Sequence, residues 1–353
     1  MKKELLIGTA LVSTLGAASV AEAVTATMSG NHQTGIRFND ATGGDDSRSQ
    51  VNDNNFTVSL SETTDGGVTI ASSFMLMNEA GGGSSDEDAG FTLTFTDGSK
   101  LDVINAGNAS GSHDISVPAS AGAESVTVTT SNKAPTGLDF AAGATVYGVE
   151  WHSADDFLMD GLKMSVSAST DNGANATSAL KADGHIAVGG TYVTTAGDSD
   201  ITIGAGYSAM EHGTTGTSPS SDEGGIHFGV SAVTGDLTVA VGFADGDSIE
   251  AQATAGTLNT EVDGEVVKAG VKYVTGDLTF NVGVTAGSGQ DSHTFGQAGT
   301  TDDSYDKTSA SVSYAVASGV TAYLGYSDVD SANDGINDDT DGSSWYIGAN
   351  MSF

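Results

Sequence analysis

The chain has 353 residues, with 49 glycines, three prolines, no cysteine, and 46 acidic against 11 basic side chains, a formal net charge of −35. That acidity excludes general nucleic-acid binding, which needs a basic footprint, and points to cations or a saline medium as partners. The lack of cysteine excludes a disulfide framework, and so much glycine, with Ser, Thr and Ala, disfavours a compact helical core.

Lys2 and Lys3, the apolar run 5–12 with Leu15, and the small-x-small site Ala21-Glu22-Ala23 mark residues 1–23 as a signal peptide. Cleavage there leaves 24–353, an exported chain of 330 residues that keeps nine basic and 44 acidic side chains. No later apolar run reaches the roughly 20 residues of a helical membrane span. The same blank is expected of a transmembrane barrel, whose strands alternate instead of running apolar.

Sixteen extended segments follow: 25–38, 51–62, 68–78, 90–96, 99–105, 143–153, 161–170, 184–195, 200–210, 224–234, 237–247, 265–275, 277–287, 306–317, 320–330 and 343–353. Seven short connectors of turn chemistry, such as Asp97-Gly98 and Gly235-Asp236, alternate with eight long acidic ones. An even strand count with both ends on the short-turn side is what a closed single-chain barrel requires. The stretch 124–131 (ESVTVTTS) is also β-prone, so that with a neighbour it would raise the count to eighteen. VTGDLTVAVGF at 233–243 returns as VTGDLTFNVGV at 274–284, a repeated hairpin. Faces separate by parity: Ile226, Phe228 and Val230 oppose His227, Gly229 and Ser231, and the polar face is small and nearly uncharged. A soluble sandwich would instead carry Lys and Glu on its solvent face. The last segment, SSWYIGANMSF, puts Trp345, Ile347, Ala349, Met351 and Phe353 on one face and ends on the aromatic ring. Trp345, Ile347, Met351 and Phe353 are therefore the expected closure residues.

The leader, a first strand around MSGNHQTGIRF (28–38), the hairpin GFTLTFTDGSKLDVI (90–104) and the terminal WYIGANMSF (345–353) resemble the general porins of Gram-negative bacteria, most closely the alphaproteobacterial type. The resemblance implies an all-β, sixteen-stranded transmembrane barrel of the outer membrane. It also implies a homotrimer in outer-membrane lipid, reached through the barrel-assembly machinery, that passes small hydrophilic solutes and cations by passive diffusion, without chemistry. In that family the third long loop folds into the lumen, and the matching connector here is 106–142, the longest. The chain departs from the family in holding only Arg37 and Arg48, which puts in question the dense arginine cluster that many porins set opposite this loop.

On this reading the loop offers Asp114, Glu124 and Asp139, with Asp102 just before it on the wall. Parity turns Arg37, Lys100, Glu150, Lys163, Lys268 and Lys272 inward. Acid facing base across the aperture would set a transverse field and select by charge, and the acidity favours cations. The run DVDSANDGINDDTDG at 328–342 offers calcium a set of oxygens from Asp328, Asp330, Asp334, Asp338, Asp339 and Asp341, although no frame fits an EF-hand. No cofactor is required otherwise. Seven scattered histidines without HExxH, and the lack of a Gly-x-Ser-x-Gly elbow or phosphate loop, argue against an enzyme. The competing reading is a secreted or surface-layer acidic β-protein, stabilised by calcium and acting in adhesion or structure.

Overall fold

A computed structural model describes residues 24–41, 47–78, 90–103, 108–126, 134, 148–169, 181–213, 221–250, 260–291, 301–333 and 339–353. The leader 1–23, Asp139, Asp334 and Asp338 lie outside the described residues.

Sixteen strands form one closed antiparallel barrel. They are β1 (Thr25–Ala41), β2 (Ser47–Thr63), β3 (Thr69–Asn78), β4 (Phe91–Thr94), β5 (Lys100–Val103), β6 (Gly148–His152), β7 (Leu162–Ser169), β8 (Lys181–Ala196), β9 (Ser199–Gly213), β10 (Ser221–Thr234), β11 (Leu237–Glu250), β12 (Thr260–Thr275), β13 (Leu278–Asp291), β14 (Thr301–Ala317), β15 (Val320–Asn333) and β16 (Thr340–Ser352). Each pairs with its sequence neighbours, and β1 closes on β16 from Asn31↔Ser352 to Ala41↔Gly342. All sixteen predicted segments are wall strands. Residues 124–126 are not, which removes the eighteen-strand count over its described part.

Six of the seven predicted short turns place a glycine at positive φ, at Gly67, Gly98, Gly197, Gly235, Gly276 and Gly319; the connector 154–160 instead holds Asp156 and Leu158 there, with Gly161 following at once. At Gly319 the demand is double, because a Cβ would also strike the carbonyl of Ser352, whose N–H donates to the Gly319 carbonyl at 2.7 Å. Closure is completed by Phe353, whose N–H and C=O exchange hydrogen bonds with Gly30 at 3.1 and 3.2 Å and whose ring tilts against Phe56 at 6.2 Å.

The molecule is inside-out. Its outer face carries Ile226, Phe228, Val239, Val241, Phe280, Val282 and Ile347, each about half exposed, around most of the circumference. The buried set is dominated by Ser165, Ser167, Ser208, Ser309, Ser327 and Ser344. An apolar area of that extent on a free surface marks a membrane contact. A soluble adhesive β-protein would bury this face, so the competing reading loses its footing.

Candidate functional site

The lumen is occupied along one side by residues 108–126, the described part of the third long connector. The segment enters through a 3₁₀ turn (Gly111–His113) and then runs extended along the wall from β6 to β16. Lumen-facing serines accept from its free backbone N–H groups. Ser167 accepts from Ala109 at 3.0 Å, Ser309 from Ser120 at 3.2 Å, Ser311 from Ala121 at 2.8 Å and Ser344 from Ser125 at 3.2 Å. The serines thus do for a loop what a neighbouring strand does for a strand, satisfying buried backbone donors.

Between the serines the wall is glycine. A Cβ on Gly229 would lie 2.7 Å from the Ile115 Cβ, and one on Gly283 would lie 2.9 Å from the Ala119 Cα. Gly189, Gly204, Gly206 and Gly270 meet the backbone of residues 109–118 in the same way. The glycine and serine content therefore builds a track into which the segment settles.

Two histidines hold the turn, and a third, His152, shares the Ser165 hydroxyl with His113. His113 sits on the loop, with its ring nitrogens at 2.7 Å from the Thr191 hydroxyl and 2.9 Å from that of Ser165. Burial, reinforced by His152, His227 and Lys163 nearby, holds its imidazole down at about 4. His227 on β10 donates through Nε2 to the Ser110 carbonyl at 2.9 Å and presents Nδ1 to Asp114 at 3.0 Å. His152 on β6 lies 2.8 Å from Asp102 and 2.9 Å from Ser165.

The sequence-predicted charges divide among several places. Asp102, Lys100, Glu150 and Lys163 gather at the root of the segment, where Lys163 pairs with Asp155 at 2.8 Å and the Ser112 hydroxyl donates to Glu150 at 2.7 Å. Asp114 lies farther along, attracted by His227 and Lys268, with burial as the larger influence pushing its carboxyl up. Glu124 is 7% exposed, wedged against Gly325. Burial pushes its carboxyl up against the opposing pull of the Ser120 hydroxyl, its own backbone and Lys307. This corrects the transverse-field expectation for Glu124: its carboxylate is turned into the wall by the same track that receives the loop. Arg37 faces inward on β1, donating to Ser49 at 3.3 Å, and Lys272 faces inward on β12 between Thr238 and Asn281.

The sequence reading passed over Lys307, although Ser309 and Ser311 share its inward parity, and also Asp53 opposite Gln33. Among the described residues six basic side chains thus face the lumen, and the acidic excess lies elsewhere. Asp328, Asp330 and Asp341 come together on the outer surface at the long-loop ends of β15 and β16, joined by Asp40 of β1. Asp339 stands just before β16. A second outer cluster joins Asp245, Asp247, Asp263, Glu265 and Asp302 across β11, β12 and β14. Trp345, Ile347, Met351 and Phe353 all face outward, while Tyr346 between them is fully buried and donates to the Thr34 carbonyl at 3.2 Å.

No curated protein sequence matches the chain. Solved structures do, over nearly its whole length. A refined porin structure covers 93% of this chain and all of its own at 18% identity and a TM-score of 0.57. The trimer form of OmpT, an outer membrane protein of Vibrio cholerae, gives 94%, 100%, 14% and 0.56. The anion-selective porin from Comamonas acidovorans gives 94%, 100%, 12% and 0.61. The family profile described as Gram-negative porin matches residues 8–352. A closed sixteen-stranded barrel with an apolar exterior, a segment laid inside it and that match place the chain in the Gram-negative porin family, as an outer-membrane porin.

Proposed function

We propose that this porin is a cation-preferring, trimeric diffusion pore whose charge preference arises at its acidic long-loop mouth and not at the folded-in segment. The observation that carries this is the partition of charge. Arg37, Lys100, Lys163, Lys268, Lys272 and Lys307 face the lumen against a similar number of acids. The outer ends of β11, β12, β14, β15 and β16 carry carboxylates with few bases. A wide ring of one sign raises the local concentration of counter-ions before they reach the aperture, and it does so less at high salt, where the Debye length falls from roughly 10 Å at 0.1 M to about 3 Å at 1 M. Passage itself needs no reacting group. The trimeric assembly is supported by the OmpT trimer of the same fold. The leader 1–23 would be removed on export, so that N-terminal sequencing of outer-membrane material begins at Val24.

The test is the reversal potential of refolded protein in a planar bilayer across a salt gradient. Preference for potassium over chloride that shrinks as both solutions are made more concentrated supports the mouth. Preference that persists in concentrated salt and disappears in Asp114→Asn would return selectivity to the inner segment, and preference for chloride would reject the reading.

A further inference from the structure

We propose that Asp102, Glu150 and His152 form a divalent-metal site of the zinc class on the lumen wall, at the root of the folded-in segment.

The pattern is that of a sheet-borne metal site. Glu150 and His152 are two residues apart on β6 and so share its inner face, and Asp102 on β5 is the cross-strand partner of Glu150. Their donor atoms all lie within 4.8 Å of one another. His152 Nε2 is 2.8 Å from Asp102 Oδ2, and Nδ1 is 3.7 Å from Glu150 Oε1. Imidazole and carboxylate donors each sit about 2.0–2.2 Å from a tetrahedral ion, so two donors of one ion stand roughly 3.3 Å apart. The Nε2–Asp102 separation lies somewhat inside that value, whereas the 3.7 Å runs from Nδ1, the ring nitrogen that faces Ser165. An ion seated on Nε2 beside Asp102 would take its third protein ligand from Glu150 once that side chain turns away from Nδ1 and the Ser112 hydroxyl.

The surroundings are those such a site requires. Nδ1 of His152 is already held by the Ser165 hydroxyl at 2.9 Å, which fixes the ring with Nε2 toward Asp102, and the Thr92 hydroxyl bonds Asp102 in turn. Glu150 is 1% exposed, and its partners are one hydroxyl, Ser112, and the His152 ring. Among the described residues no lysine or arginine forms an ion pair with it, and Lys163 is engaged by Asp155. A carboxylate so deeply buried is costly without a cation beside it. The fourth position opens on a lumen cavity of about 520 Å³ that is also lined by Lys100 and Ser165, so an ion can enter from the pore. One imidazole with two carboxylates suits zinc and its neighbours, whereas magnesium and calcium favour oxygen alone.

Occupation would add two positive charges at the aperture and draw Glu150 away from Ser112, loosening one tie of the segment. The experiment is calorimetric titration of the refolded full chain with zinc chloride in excess magnesium, alongside Asp102→Asn and His152→Gln, with heat-modifiable migration confirming that each barrel is folded. The expected result is one zinc per chain, bound at least about tenfold more weakly by either variant, and a zinc-dependent fall in cation preference that His152→Gln abolishes. Zinc uptake equal in wild type and both variants would assign it to the outer carboxylates and overturn the proposal, as would no uptake at millimolar zinc. Should the variants fail to assemble, the wild type decides: zinc that magnesium cannot displace supports the site, and zinc that magnesium displaces contradicts it.

Discussion

A single imidazole sets how the inner segment responds to acid. His113 is nearly buried between Thr191 and Ser165, and its pKa falls from 6.5 to about 4 when it docks. A group whose value is lowered on docking favours the docked state in its neutral form. Its contribution is whole above pH 6.5, declines below it and is gone near pH 4; on the scale of about 1.4 kcal/mol per unit it is of order 3 kcal/mol. Asp114 and Glu124, raised by burial, act with the opposite sign: they favour docking when protonated and oppose it as pH rises past their raised values. They therefore act against the acid release set by His113. Hydrogen exchange in residues 108–126, corrected for its intrinsic pH dependence, should quicken between pH 7 and 4 in wild type and lose that quickening, or slow, in His113→Gln. Equal profiles would remove His113 as the anchor. Parity alone was enough to turn Arg37, Lys163, Lys268 and Lys272 inward. It could not show that His113, His152 and His227 converge, because that depends on the path of a loop whose sequence has no period.

At the scale of elements, the glycine track and the strand ends carry the account. Placing valine at Gly229 drives its side chain into Ile115. Gly229→Val should therefore displace the segment while leaving the ladders intact, giving larger conductance with unchanged heat-modifiable migration; unaltered conductance would show that the segment does not narrow the pore. Deleting Phe353 removes two backbone hydrogen bonds to Gly30 and the ring contact with Phe56. The expected cost is about 2–3 kcal/mol, read as a lower temperature for loss of the folded band. The strands were legible where alternation is enforced, between lipid on one side and lumen on the other. They run longer than the alternation at the long-loop ends: β2 starts at Ser47 and not 51, β12 at Thr260 and not 265, and β14 at Thr301 and not 306. Beyond the lipid both faces meet water, so the ladder continues after the pattern has faded. The reverse holds at β4, where alternation over 90–96 outlasts a ladder of four residues. Near the turn the backbone departs into the Phe95–Ser99 bonds instead.

For the whole molecule, charge is the dominant liability. The chain carries −35, and cross-strand neighbours such as Asp245↔Glu265, Asp247↔Asp263 and Asp330↔Asp341 set like charges opposite each other. Each such pair opposes folding by a few tenths of a kcal/mol or more at low salt, and screening relieves it. Thermal stability in detergent should accordingly rise as sodium chloride is increased from about 10 mM to about 1 M, by an amount that shrinks in a variant with Asp247, Asp263 and Asp330 changed to Asn. A stability that falls with salt would mean that ion pairs, and not repulsion, dominate the outer ends. Composition announced the excess of charge, but only the register reveals that so much of it lies on the outer surface and so little at the aperture.

That the barrel is an open conduit is tested most directly by single-channel recording of refolded wild-type protein in planar bilayers. The account predicts discrete steps whose conductance rises with salt concentration, enlarged in Gly229→Val. Barrels verified as inserted by protease protection and heat-modifiable migration, yet carrying no current in either protein, would contradict it.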